Sequence, residues 1–269
     1  MTKYHLGFIG AGNMAEAIAR GVIRTKRFRA EELIAADPAN PRRMLFKNDL
    51  GVHCTSDNRR AARNAEILLV AVKPQQAEAV LSGIADAVPD TALVITIMAG
   101  IGTGLVESAL GDRGRVVRVM PNTPMLVGAG VSAICPGKKA TREDLHKVEA
   151  IFSAAGTTVH VSEEAMNAIT AVSGSGPAYF FYLVEAMIAG GVRAGLDEKI
   201  AEQLASQTCL GAGQMLTQKD LSAVELRQRV TSPGGTTQAA VECLDAGKVN
   251  TLIADAVSAA AQRAEELGK

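Results

Sequence analysis

The 269-residue chain contains no tryptophan, and aromatic residues of all kinds make up 3% of it. Ring platforms on which nucleic-acid bases stack are therefore not evident. There is no excess of either charge, since 28 Lys and Arg balance 28 Asp and Glu. Without a basic field nothing holds a polyanion, so nucleic acid is not an expected partner. The four cysteines (Cys54, Cys135, Cys209, Cys243) lie far apart and form no CxxC pair. The four histidines (His5, His53, His146, His160) show no metal-ligand spacing, so no metal is expected. Scattered cysteines read as buried thiols in a reducing cytoplasm. No apolar run approaches the ~18 residues that a membrane helix needs. The first apolar stretch is broken by glycines within a few residues, unlike a secretory signal. A cytoplasmic protein without a membrane partner is expected.

Hydrophobic residues make up 48% and charged residues 21%, which is ordinary for a globular chain of two domains. The most informative stretch is near the start. Leu6, Gly7, Phe8 and Ile9 form a short apolar run suited to a buried parallel strand. Gly10-x-Gly12-x-x-Ala15 follows at once, and Ala15, Ile18, Ala19, Val22 and Ile23 then recur at helical spacing. Gly10 permits a tight turn, Gly12 lets a pyrophosphate approach the backbone, and Ala15 lets the helix pack close to the strand. The helix start faces the phosphates with free amides and a positive dipole end. Strand, glycine loop and helix together point to a dinucleotide site. Asp37, about twenty residues on, suits a ribose diol, although an Asp before Pro38 is also a common turn. Arg42 and Arg43 follow and suit a 2′-phosphate, so the choice between NADH and NADPH stays open.

Further strands are predicted over residues 66–72, 92–98, 116–120, 131–135 and 157–161. The first three end in loops: Val72-Lys73-Pro74, Ala99-Gly100, and Pro121-Asn122-Thr123-Pro124. Strands alternate with helices, including one that Thr141 caps. Residues 1–162 therefore read as a doubly wound α/β, Rossmann-type, NAD(P)-binding domain. No strand is evident from Glu163 onward, and residues 163–269 read as an all-helical substrate and dimerisation domain. Ser173-Gly174-Ser175-Gly176 should break its first helix, and Ser222-x-x-Glu225 is a capping box. Its small apolar residues, on more than one helix face, favour burial between subunits.

No nucleophile triad, carboxylate pair or metal motif stands out. Hydride transfer from a nicotinamide asks the protein only for orientation and charge stabilisation. Thr231-Ser232-Pro233-Gly234-Gly235-Thr236-Thr237 offers hydroxyls, glycines and a helix start, an anion nest suited to a small carboxylate. On spacing alone, an ordinary glycine turn with a Thr cap serves equally well.

With its loops read out, the chain closely resembles the pyrroline-5-carboxylate reductase family over essentially its whole length. The resemblance rests on Phe8-Ile9-Gly10-Ala11-Gly12-Asn13-Met14, Ala71-Val72-Lys73-Pro74, Met120-Pro121-Asn122-Thr123-Pro124, Val172-Ser173-Gly174-Ser175-Gly176-Pro177-Ala178-Tyr179, and Ser232-Pro233-Gly234-Gly235-Thr236-Thr237. Met98, where many members carry Ala, is a departure expected to alter packing under the nicotinamide loop. The resemblance implies reduction of 1-pyrroline-5-carboxylate to L-proline with NADPH, or with NADH, which Asp37 favours. It places cofactor contacts on Ile9, Gly10, Ala11, Gly12, Asn13 and Met14, with Asp37 and Asn58 near the adenosine ribose. Ala71, Val72, Lys73 and Pro74 flank the cofactor, and Met98, Ala99, Gly100 and Asn122 lie on the nicotinamide side. Ser232, Gly234, Gly235, Thr236 and Thr237 would hold the substrate, with Glu163 nearby. Thr237 would be the catalytic residue, hydrogen-bonded to the ring nitrogen as it becomes an amine. A homo-oligomer, dimer or higher, is implied.

Two other readings are kept. One is another Rossmann-type imine or β-hydroxyacid reductase; the latter use a lysine on the first long helix of the helical domain, and none occurs between Glu163 and Arg193. The other is a non-catalytic dinucleotide sensor.

Overall fold

The computed structural model describes residues 4–111, 113–218 and 221–268. The chain divides into two compact units: one runs up to Ser175 and includes the residues from Ala259 on, and the other is Gly176–Ser258.

The first unit is built on an eight-stranded sheet. The chain enters through β1 (Tyr4–Ile9), α1 (Asn13–Arg24), β2 (Leu33–Ala36), α2 (Asn40–Leu50) and β3 (His53–Thr55). It continues through α3 (Asn58–Asn64), β4 (Ala65–Val70), α4 (Ala77–Ile84), β5 (Leu93–Thr96), α5 (Thr103–Ala109) and β6 (Arg115–Met120). Then come β7 (Gly130–Pro136), α6 (Arg142–Phe152), β8 (Gly156–His160) and the short α7 (Met166–Ile169). The strand order is β3-β2-β1-β4-β5-β6-β7-β8, and only the β6–β7 pair is antiparallel. The chain leaves β1 toward β2 and β3, then returns to the other side of β1 with β4. That reversal creates a crevice at the carboxyl ends of β1 and β4, the usual ligand position in such sheets.

Alternation along each strand feeds two cores. Leu6, Phe8, Leu69 and Ile95 pack with Ala15, Ile18 and Val22 of α1, Phe46 of α2, and Val148 and Phe152 of α6. Ile9, Leu68, Val70, Val94 and Val116 pack with α3, α4 and α5 through Ala61, Ala62, Leu81, Ile84 and Val106. Helices on both faces explain why these strands read as continuous apolar runs. The helix starts follow local chemistry. Thr141 and Asp144 form a reciprocal capping box at α6. α2 stops where Gly51 turns left-handed at φ 73°.

The second unit is helical: α8 (Gly176–Arg193), α9 (Glu198–Thr217), α10 (Ala223–Arg229), α11 (Thr236–Ala246) and the first part of α12 (Val249–Glu266). Ser222 and Glu225 cap α10 reciprocally. A bend at Ser175 interrupts the helix within Ser173 to Gly176, as expected, and α8 starts afresh at Gly176. Residues Thr170–Gly174 wind as a π-helix, with the Ser175 amide donating to the Thr170 carbonyl at 2.8 Å. Small side chains tolerate the wider turn, and such turns often lie at functional sites. The thiols differ from expectation: Cys135 is buried, Cys54 and Cys209 are half-buried, and Cys243 is exposed. Among the described residues no helix is long and apolar enough to cross a membrane.

Candidate functional site

The glycine loop sits at the sheet reversal. Gly10 donates its amide to the Ala36 carbonyl at 2.8 Å, and Ala71 donates to the Ile9 carbonyl at 2.8 Å. The ends of β1, β2 and β4 are thereby tied together. Gly10 is left-handed at φ 92°, and a Cβ there would meet the Ala71 carbonyl oxygen at 2.7 Å. Around a Cβ on Gly12 nothing lies within 4 Å, so the backbone is open to a phosphate. Gly12 precedes α1 without any side-chain cap, which leaves the helix amides for an anion. Ala11 and Ala15 are fully buried, whereas Asn13 is exposed and Met14 half-buried. These residues fit a dinucleotide.

Asp37 lies just past β2, and both of its carboxylate oxygens are engaged. Oδ2 accepts the Ala11 amide at 2.7 Å and Oδ1 accepts the Ala39 amide at 2.8 Å. Arg42 donates from Nε to the Ala11 carbonyl at 2.5 Å and from Nη2 to Glu16 at 2.8 Å. Arg43 donates to the carbonyls of Asp37 and Pro38, both at 2.7 Å, and to the Asn40 side chain at 3.2 Å. Burial opposes charge on Glu16, but its hydrogen bonds to Arg42 and Arg20 prevail and hold the carboxyl below its ordinary range. Asn58 opens α3 beyond β3, behind the Asp57 cap.

Val72, Lys73 and Pro74 follow β4, with Lys73 exposed and the other two half-buried. Met98 is 2% exposed and joins the core on the α3–α5 face, so its side chain packs beneath the loop that follows β5. Ala99 and Gly100 are half-buried in that loop. Gly100 is left-handed at φ 77°, and a Cβ there would strike Ala264 and Leu267 at the end of α12, within 2.9 Å. Asn122 is buried, its side-chain oxygen accepting the Val131 amide at 2.9 Å.

Glu163 is bound up within its own unit. It pairs with Arg118 of β6 and accepts from the Thr103 hydroxyl at 2.8 Å and the Thr103 amide at 3.2 Å. Burial pushes its carboxyl up, but Thr103 and Arg118 outweigh that and hold it below the usual range. Beside it, burial and the Glu163 charge push the Cys135 thiol up to about 11. Arg118 and Thr103 escaped the sequence reading. The available signal was a lone arginine at an inward position of the otherwise apolar Val116 to Met120 run.

In the second unit, Thr231 to Gly235 form a compact turn before α11. The Thr231 hydroxyl donates to the Arg227 carbonyl at 2.7 Å, and the Gly234 amide donates to Gln238 at 2.7 Å. Gly234 is left-handed at φ 69°, and the Gly235 amide donates to the Ser232 carbonyl at 3.0 Å. α11 has no side-chain cap. Ser232 and Thr236 are exposed and Thr237 is half-buried.

Comparison with known proteins agrees with this architecture. A family model described as pyrroline-5-carboxylate reductase dimerisation matches residues 163–267. A second, described as NADP oxidoreductase coenzyme F420-dependent, matches residues 5–100. The chain is 43% identical to a pyrroline-5-carboxylate reductase of Synechocystis, over 98% of both proteins. It is similar to the solved structure of the Coxiella burnetii pyrroline-5-carboxylate reductase, with a TM-score of 0.89 and 39% identity over the whole of both chains. A Plasmodium falciparum pyrroline carboxylate reductase, solved with NADP bound, gives 0.90 and 32% over the whole of both chains. The chain belongs to the pyrroline-5-carboxylate reductase family.

Proposed function

We propose that the chain reduces the C=N bond of 1-pyrroline-5-carboxylate to give L-proline, the last step of proline biosynthesis. The observation that carries this reading is the pairing, in one family member, of an open glycine loop at a sheet reversal with Ser232-Pro233-Gly234-Gly235-Thr236-Thr237 at a helix start that no side chain caps. NAD(P)H held at the glycine loop would supply the hydride for C5 of the imine. The helix-start amides and the hydroxyls of Ser232 and Thr236 hold the substrate carboxylate. The Thr237 hydroxyl hydrogen-bonds the ring nitrogen, orienting it and relaying a proton with water as the nitrogen gains its electron pair. An ordinary hydroxyl is too weak an acid to do more. Gly10 to Met14 seat the pyrophosphate, Val72 to Pro74 flank it, and Ala99, Gly100 and Asn122 line the nicotinamide. Functionally the chain divides at 162/163, where the dimerisation match begins. The enzyme works in the cytoplasm as a homodimer or a multiple of one.

NADH is the preferred reductant. The Ala39 amide and the two arginines that follow Asp37 already have partners within the protein. The Ala39 amide serves Asp37, Arg43 serves backbone carbonyls and Asn40, and Arg42 serves Ala11 and Glu16. The Asp37 carboxylate then accepts from a ribose diol and repels a phosphate. Steady-state assay of imine reduction with each reductant tests both parts: imine-dependent oxidation with the lower KM for NADH is expected, and no imine-dependent oxidation with either reductant defeats the reading.

A further inference from the structure

Arg118 and Glu163 stand out because the reaction above does not use them and packing alone does not require them. Arg118 projects from β6 onto the α3–α5 face and is 3% exposed. Its neighbours across the sheet are the fully buried Thr96 on β5 and the buried Cys135 on β7. One arm of the guanidinium, Nη1, meets Glu163. The other two nitrogens, Nε and Nη2, are buried with no hydrogen-bond partner among the described residues. A cation held this way stabilises the core poorly, and apolar side chains of similar volume commonly do as well or better.

The pair does something else. Thr103 is the first residue of α5, and Gly102 before it provides no side-chain cap. Glu163 takes over that task from sixty residues away, accepting both the amide and the hydroxyl of Thr103. Its other oxygen is held by Arg118, so neither carboxylate oxygen is unclaimed. The loop of residues 97–102 is seated by the buried side chains of Met98 and Ile101 and is fixed at both ends. At its upstream end the Ile97 amide donates to Val70 at 3.2 Å; at its downstream end stands Thr103. Ala99 and left-handed Gly100 lie between them.

We infer that Arg118 and Glu163 are positioning residues for hydride transfer: the buried pair clamps the start of α5 and thereby sets where the loop of residues 97–102 presents the nicotinamide. This rests on the reading that the loop lines the nicotinamide. The effect is indirect, through Thr103, so Glu163 orients the cofactor's loop without touching the substrate.

The test uses the full-length enzyme with Glu163→Gln, Thr103→Val and the paired apolar replacement Arg118→Met with Glu163→Leu. Ala99→Val serves as a control on the loop itself. Hydrogen exchange of residues 97–109 is measured without cofactor, thermal melting is followed in parallel, and kinetics are run with reductant deuterated at C4. Faster exchange confined to this segment is expected in all three clamp variants. So is a kcat lower by roughly 10- to 100-fold, as for a reactant displaced by a fraction of its working distance. The isotope effect on kcat should grow, and the KM for the imine should stay within about twofold. The paired apolar variant should melt no lower than wild type and still lose turnover, separating position from stability. A Glu163→Gln enzyme with unchanged exchange and an imine KM raised about tenfold would put the carboxylate on the substrate and overturn the inference. Wild-type kcat in Glu163→Gln while Ala99→Val is impaired overturns the clamp alone. Wild-type kinetics in both overturns the placement of the nicotinamide, and the inference with it.

Discussion

Asp37 joins the glycine loop to the start of α2 through its two amide contacts, and Glu16 holds Arg42 against α1. A change at either residue should therefore be read out in cofactor choice more than in folding. Asp37→Ser removes the repelling charge, and Glu16→Gln loosens Arg42 toward a 2′-phosphate. Each is expected to move the ratio of kcat/KM for NADPH over NADH upward, by about tenfold for one well-placed charge contact. An unchanged ratio in both variants would show that the ribose lies elsewhere. For Thr237→Ala the expectation is a loss of turnover of roughly one to three powers of ten, the scale of a lost proton-transfer contact. Wild-type kcat in that variant contradicts its role. What was legible in sequence is what backbone and spacing set: the strand, glycine loop and helix start around Gly10, Gly12 and Ala15, and the turn of residues 232–235 before a helix start. Glu16 and Arg42 were harder, because their pairing depends on how two helices meet. Asp37 was legible as a residue, but which way its carboxylate turns depends on amides at positions 11 and 39.

At the scale of elements, α6 and β6 are joined through one buried carboxylate. Asp144 closes the α6 capping box and accepts Arg115 from the start of β6 at 2.8 and 3.0 Å. Burial alone would push its carboxyl up, but Arg115 and Thr141 hold it below the ordinary value. A carboxylate with a depressed folded pKa stabilises fully above its unfolded pKa and loses that contribution as pH falls through the folded value. Asp144→Asn should therefore cost about 3 kcal/mol near neutrality, since it leaves Arg115 without its anion. The difference from wild type should shrink as the medium is acidified below about pH 4. Denaturant unfolding at several pH values checks this, and a difference independent of pH contradicts it. The capped helices α6 and α10 were readable because their caps are local. β3 and α2 were not: β3 is a three-residue edge strand, and α2 buries only Phe46 and so carries little periodicity. The break at Ser175 was readable from its Ser-Gly-Ser-Gly run, but the π winding of Thr170–Gly174 before it was not, because small residues permit either winding and only the packing around them decides.

At the scale of the molecule, the two units bury their residues very differently. The sheet unit has a dense core on both faces, whereas α8, α10 and α11 hide almost nothing, with Gly176 the one buried residue among them. Phe180, Phe181, Tyr182, Leu183, Leu252 and Ile253 are each at least half exposed. An apolar surface of this extent needs a cover, and the dimerisation match over residues 163–267 implies self-association of this region. Because the associated form holds apolar surface that a lone chain would expose, the melting temperature should rise with protein concentration. Differential scanning over a wide dilution series tests this, and an invariant melting temperature contradicts it. The helical half was legible in sequence as helices, but the extent of its uncovered surface was not, since burial between copies and burial within a fold produce the same apolar pattern.

The most direct measurement follows the label. Purified enzyme is given 1-pyrroline-5-carboxylate and NADH carrying deuterium at C4, and the product is examined by mass and NMR. The account predicts one proline formed per NADH oxidised, with deuterium at C5 of the ring. Reductant consumed without labelled proline, or no consumption in the presence of the imine, would contradict it.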